Sequence, residues 1–257
     1  MGCWLKRSEF DSLLAGILSP KRFKDYAPNG LQVQGKSEII KVVTGVTACQ
    51  ALIDKAIQLE ADAIVVHHGY FWQGESYPIV GMKYNRIAAL IKHDINLFGY
   101  HLPLDAHPVL GNNAQLADRL GLLQREGLQQ GVALEESIGL VGDLVAPMAV
   151  KEFKALIERV VGREVLFEFA GVEQVRRVAL CTGGAQGYIE QAVAVQADVY
   201  ITGEVSEKTI HVARELGIHF CAAGHHATER FGVQALAQYL RDEFALEAEF
   251  VDIDNPA

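Results

Sequence analysis

Two stretches decide the fold: Lys41–His68, KVVTGVTACQALIDKAIQLEADAIVVHH, and Arg177–Glu204, RVALCTGGAQGYIEQAVAVQADVYITGE. They align without a gap, Val42 falling on Val178, Ile53 on Ile189, Asp54 on Glu190, Ala56 on Ala192, Ala61 on Ala197 and Asp62 on Asp198. Each opens on an apolar run, passes through apolar residues at helical spacing, and closes on a short continuous apolar run, Ala63–Val66 or Val199–Thr202. A closing run of that kind suits a strand covered on both faces, as in a parallel sheet. The repeated strand–helix–strand text predicts an α/β protein of two pseudo-repeated halves, their largely parallel sheets facing each other across a cleft.

Outward from this unit the alternation continues. Helices are expected over Ser8–Leu18, Cys49–Leu59, Asn85–His93 and Asn112–Leu120, and strands over Ile39–Val46 and Ile95–Gly99. Pro28-Asn29-Gly30 reads as a tight turn. Leu123–Leu134, rich in Gln and Gly, reads as the connector, which places the halves at 1–126 and 127–257. A shorter echo pairs His101-Leu102-Pro103-Leu104-Asp105 with His225-His226-Ala227-Thr228-Glu229.

Half of the 257 residues are hydrophobic and 21% are charged, the composition of a globular protein rather than a disordered one. The net charge of −9 repels phosphate backbones and disfavours a nucleic-acid partner. Apolar runs fall far short of the roughly 20 residues a bilayer requires, and no secretory signal is visible. Met1-Gly2 resembles a myristoylation start, but Lys6 stands where that motif requires Ser or Thr. Cys3, Cys49, Cys181 and Cys221 form no C-x-x-C pair and read as small apolar residues in a reducing cytoplasm.

The chemistry gathers at strand ends, where parallel α/β folds carry their sites. His67-His68-Gly69 closes a strand, and alternation sends neighbouring side chains to opposite faces, so the two imidazoles suit two metal ions better than one. His101-x-x-x-Asp105 follows another strand, with Pro103 opposing regular helix; Asp105 is either a hard oxygen ligand or a turn residue. In Gly224–Glu229, a helix beginning near Ala227 places Glu229 in its first turn with His225 just before it, so the two either converge on one ion or the segment is a capped helix start, with Thr228 or Glu229 capping. Glu204 occupies the position of His68 in the second copy and is a carboxylate that supports a metal ligand or acts as general base, or else an exposed loop acid. The Cys181–Gly187 turn either cradles a phosphate or supplies the glycines a strand-to-helix turn needs. Trp4 and Trp72 read as packing or interface residues rather than stacking platforms.

With Asn29–Gly35, Val65–Gly69, His101–Asp105, Gly111–Asn113, Thr202–Glu204 and Gly224–Glu229 in view, the sequence resembles the interacting-factor-three-like family, whose members are also called GTP cyclohydrolase I type 2 homologues, and is most like the small bacterial members without a large inserted domain. The resemblance implies a toroidal homohexamer with a dinuclear centre. Its ligands would be His67, His68, Asp105, His225 and Glu229, with Glu229 bridging. Five ligands leave positions open on two ions for water or a small-molecule substrate, which suits metal-dependent hydrolysis. His101 or His226, each beside an implied ligand, can move protons. Mixed nitrogen and oxygen donors accept Zn, Fe, Mn, Co or Ni. Metal storage or delivery, and a hexameric adaptor without turnover, are the competing readings.

Overall fold

The computed structural model describes residues 4–257; Cys3 and the Met1-Gly2 start lie outside them. In chain order the first elements are β1 (Leu5–Lys6), α1 (Arg7–Leu18), β2 (Gly30–Val33), β3 (Glu38–Ile39), β4 (Lys41–Thr47), α2 (Gln50–Gln58), β5 (Ala63–His68), α3 (Gly81–Lys92), β6 (Asn96–Gly99) and α4 (Leu102–Ala106). Then come α5 (Asn112–Leu120), β7 (Leu123–Gly127), β8 (Leu140–Ala149), α6 (Val150–Val161), β9 (Leu166–Glu168), β10 (Gln174–Leu180), α7 (Ile189–Ala194), β11 (Val199–Thr202), α8 (Glu207–Leu216), β12 (His219–Ala222), α9 (His225–Phe244) and β13 (Glu247–Phe250).

The chain forms two compact units. One holds the residues up to Leu104 with Gly232–Asp254, the other Asp105–Phe231 with Asn255–Ala257. The boundary therefore lies at Leu104/Asp105 rather than at 126/127. Side-chain packing explains the difference. In α5, Leu116, Ala117 and Leu120 bury against Phe153, Ile157 and Val161 of the second unit. The later part of α9 returns to the first unit, where Val233 carbonyl accepts the Thr44 hydroxyl at 2.8 Å and β13 pairs with β4. Residues 123–127, expected in the connector, form β7 against β8.

The first unit's sheet has the order β13-β4-β5-β6-β2, parallel except for β2. Its core joins Leu52, Ile53 and Ala56 of α2 to Ile64 and Val66 of β5. The second unit's sheet, β7-β8-β10-β11-β12-β9, is parallel only through β10, β11 and β12. The expected α/β class stands, with one largely parallel sheet and one mixed sheet.

The repeat extends to individual hydrogen bonds. Asp62 Oδ2 accepts the amides of Ile40 and Lys41, each at 2.9 Å; Asp198 Oδ2 accepts those of Arg176 and Arg177, each at 2.8 Å. Lys41 Nζ donates to Leu59 carbonyl, and Arg177 Nε to Val195 carbonyl, the equivalent position. The registers agree too, Val42 pairing with Ala63 and Val178 with Val199. Further on, Ala63 pairs with Asn96 and Val199 with His219. By that register His101 corresponds to Gly224 and Leu102 to His225, so the short echo is one residue out of structural step.

Asp62 gives a prediction on stability. Burial works against its charge, but Lys36 Nζ at 2.5 Å and the two amides outweigh burial and hold the carboxyl below the ordinary range. A lowered carboxyl contributes stability above its unfolded pKa, about 4, and loses that contribution as pH falls through its folded value. Asp62→Ala is expected to cost roughly 1–3 kcal/mol at pH 7 by stranding the two amides. In denaturant titrations of both proteins, that gap should narrow below about pH 4; a gap unchanged at low pH would refute the ionic account.

Candidate metal centre

In the first unit the imidazoles come from two neighbouring parallel strands. His67 and His68 end β5, and His101 follows β6. Strict strand alternation would separate His67 from His68. Instead β5 stops at His68, the chain bends at Tyr70, and the two rings lie 4.4 Å apart, centroid to centroid. The His101 ring stands 5.2 Å from that of His67 and 5.9 Å from that of His68. One nitrogen of each ring lies within 4.8 Å of the others, a span a cation can bridge.

The tautomers follow from the partners. His67 Nδ1 faces the carbonyl of Tyr100 at 3.1 Å, and a carbonyl only accepts, so Nδ1 carries the proton and Nε2 has the lone pair of the neutral ring. His101 Nδ1 faces Asp25 Oδ1 at 2.7 Å, which assigns that ring in the same way. The Asp25 carboxylate also accepts the amides of Tyr26 and Leu102 and the side chain of Asn29, while Asn29 Oδ1 accepts the His101 amide. Burial works against its charge, but these partners, His101 foremost, hold Asp25 below the usual carboxylate range. A carboxylate or carbonyl behind the ring is the support that metal-binding histidines use. Asp25 was not legible as a site residue: it lies in a turn-rich segment with no strand-end signature.

In the second unit α9 starts at His225, two residues earlier than expected. His225 and Glu229 are therefore one helical step of four apart and share a face, with Nε2 to Oε2 at 3.1 Å. His225 Nδ1 meets Glu204 Oε1 at 2.7 Å, so Glu204 holds the ring from behind. Burial disfavours the imidazolium, but Glu229 and Glu204 outweigh it and push the ring up to about 9. Thr228 does not cap the helix; its hydroxyl donates to Gly224 carbonyl and accepts the Gly183 amide. His226, the next residue along, diverges from His225 by about 100° on a helix, and its amide donates to Ala257 carbonyl at 3.1 Å.

Asp105 lies in α4. Pro103 does not prevent this short helix, because it occupies the first turn, where a missing N–H costs nothing. Asp105 Oδ1 accepts Asn112 Nδ2 at 2.9 Å and Thr182 Oγ1 at 3.4 Å. Asp105 and Glu229 are only 6% and 3% exposed. Buried charge of one sign favours a cation nearby. Cys181 registers that charge: burial first, then Asp105 and Glu229, push its thiol well up. Gly183 completes the cradle. Its φ is +72°, and a Cβ there would lie 2.0 Å from Glu229 Oε1. The donor set and this cradle fit divalent cations.

The Cys181–Gly187 turn is not a phosphate cradle. The amides of Thr182, Gly183 and Ala185 already donate to Asn113 Oδ1, Thr228 Oγ1 and Thr202 Oγ1. The Glu204 carboxylate also stands close to Gly184 and would repel an anion. Thr182 and Gly183 instead support Asp105 and Glu229, a role their positions in a glycine turn did not reveal.

The profile of the Duf34/NIF3 (NGG1p interacting factor 3) family matches residues 5–256. A "GTP cyclohydrolase 1 type 2 homolog" of Haemophilus influenzae is 54% identical over 250 residues, 97% of this chain and 98% of that protein. The protein of the same name from Escherichia coli K12 is 52% identical over 98% of this chain and all of its own length. Among solved structures, protein ybgI, described as of unknown function, superposes with a TM-score of 0.94 at 51% identity, covering 98% of this chain and 100% of that one. TTHA1606 from Thermus thermophilus gives a TM-score of 0.89 at 35% identity over the same shares.

Proposed function

The chain belongs to the Duf34/NIF3 family, and on that footing we propose that it is a metal-dependent hydrolase holding two divalent cations per subunit. The ligands in this reading are His67, His68, Asp105, His225 and Glu229, with Glu229 bridging. The observation that carries it is the burial of Asp105 and Glu229, two carboxylates whose charge calls for a cation. Two bound cations would lower the pKa of a shared water and offset charge on a substrate oxygen.

The chain's own residues supply the rest. Tyr100 carbonyl holds His67 with Nε2 as the donor. Glu204, expected as a ligand-supporting or general-base carboxylate, takes the supporting role in this reading and orients His225 through Nδ1. His101, fixed at Nδ1 by Asp25, accepts or returns a proton at Nε2. His226 is the second candidate for proton transfer. The substrate is a small, nucleotide-like molecule, a reading supported by the cyclohydrolase-type names of the relatives. We also infer a homohexamer on family grounds. A cytoplasmic setting fits the unbridged Cys49, Cys181 and Cys221, and no described helix is long and apolar enough to cross a membrane.

Elemental analysis after reconstitution tests the centre. About two ions per chain are expected, with marked loss in Asp105→Ala and in Glu229→Gln. A wild-type ratio well below two would count against the dinuclear reading. A screen of hydrolase substrates, with Asp105→Ala as the control, tests turnover; activity equal in both would remove the metal from the reaction.

A further inference from the structure

We propose that Trp72 and Tyr26 form an aromatic clamp that seats a planar heteroaromatic ring beside the His67, His68 and His101 imidazoles. The proposal rests on the hydrolase reading and narrows its substrate to a base-bearing molecule.

The clamp stands on placement. Tyr70 is 5% exposed, belongs to the first unit's apolar core and donates its hydroxyl to Ala48 carbonyl. Two residues on, Trp72 is only half-buried, and its indole packs against imidazoles. Its centroid lies 4.8 Å from that of His101 with 75° between the planes, and 5.9 Å from that of His68. Tyr26 is 59% exposed, yet its ring stands 6.4 Å from the same His101. Apolar burial does not account for two large, solvent-reaching aromatics on one imidazole.

The indole of Trp72 is held in place before any ligand arrives, and Tyr26 is anchored beside it through its backbone. Trp72 Nε1 donates to Gly69 carbonyl at 3.1 Å, its amide to Glu75 Oε2 at 3.0 Å, and its carbonyl accepts the Glu75 amide at 2.9 Å. Lys83 pairs with Glu75 at 3.3 Å. The Gln73 amide donates to Tyr26 carbonyl at 2.6 Å, which ties the two aromatic segments together. Phe71 takes a φ of +65°, a left-handed conformation that bulky residues avoid and that the surrounding bonds must hold. Preorganised aromatic faces bind flat rings with little ordering cost. A ring stacked on the indole lies parallel to it and is therefore steeply inclined to the His101 imidazole.

The test uses the full metal-loaded chain with Trp4→Phe, which leaves Trp72 as the sole tryptophan of the two. Adenosine or guanosine should quench its fluorescence saturably, and ribose should not. By calorimetry, Trp72→Leu should weaken nucleoside binding by about tenfold to a hundredfold, the range for one lost base–aromatic stack. Trp72→Phe should retain most of the affinity, and Tyr26→Leu should lose less than Trp72→Leu. The clamp is overturned if neither nucleoside binds, if ribose binds equally, or if Trp72→Leu binds like wild type. Metal content in the same samples reports the hydrolase reading separately. Two ions without nucleoside binding sinks the clamp alone; nucleoside binding with too few ions supports the clamp and counts against the dinuclear centre.

Discussion

If the proposed metal centre holds, Gly183→Ala is expected to strip it of its cations. The backbone there has a φ of +72°, which costs an alanine about 1–2 kcal/mol. The larger effect is steric. The new methyl would stand 2.0 Å from Glu229 Oε1 and 3.2 Å from His225 Nε2, so the carboxylate must leave its place. Glu229 is 3% exposed and paired with His225, and has little room to shift without breaking that pair. Loss of an outer support typically lowers metal affinity 10–100-fold, and displacing Glu229, a ligand in the proposed centre, should cost at least that. Elemental analysis of wild type and variant, purified side by side, reads the effect. Gly187→Ala is the control, since it lies in the same turn with open space around its Cβ. Full metal content in Gly183→Ala, or equal loss in Gly187→Ala, would contradict the account.

Asp25→Asn carries the second large effect. An ionised Asp25 only accepts, which fixes the proton of His101 on Nδ1. An asparagine can turn its NH2 toward the ring and reverse the tautomer, leaving Nε2 protonated and unable to accept. General acid–base catalysis is worth about 10²–10⁴-fold, and the variant should lose turnover in that range while keeping its metal. Nitrogen NMR of labelled histidine reports the tautomer directly, whatever the substrate. Asp25→Glu, which keeps the acceptor, should recover part of the rate. An unchanged tautomer in Asp25→Asn would remove Asp25 from this role.

The scaffold was legible because repetition amplifies weak signals. One apolar run flanked by turns is ambiguous, but Asp62 and Asp198 at the same point of two aligned units mark a strand start that both must satisfy. The histidines were legible as strand-end clusters. What was missed depends on distant backbone. Asp25 reaches His101 across 76 positions, and Asn113 reaches Thr182 across 69. No local period encodes such contacts. The unit boundary was misplaced for a related reason: α5 reads alike whichever core receives Leu116 and Leu120. Pro103 misled because a proline's effect depends on its place in the helix, and α4 begins only one residue before it.

The paired carboxylates of the repeat have a wider consequence. Asp62 and Asp198 fasten the same two amides in each unit, yet the strands that follow them lead to different residues, β5 closing on His67-His68 and β11 running into Gly203-Glu204. Holding the frame and equipping its tips are thus separate tasks for the polypeptide. A grafted segment that preserved the aspartate latch would leave the tips open to entirely different reagents, which makes either unit a chassis for engineering.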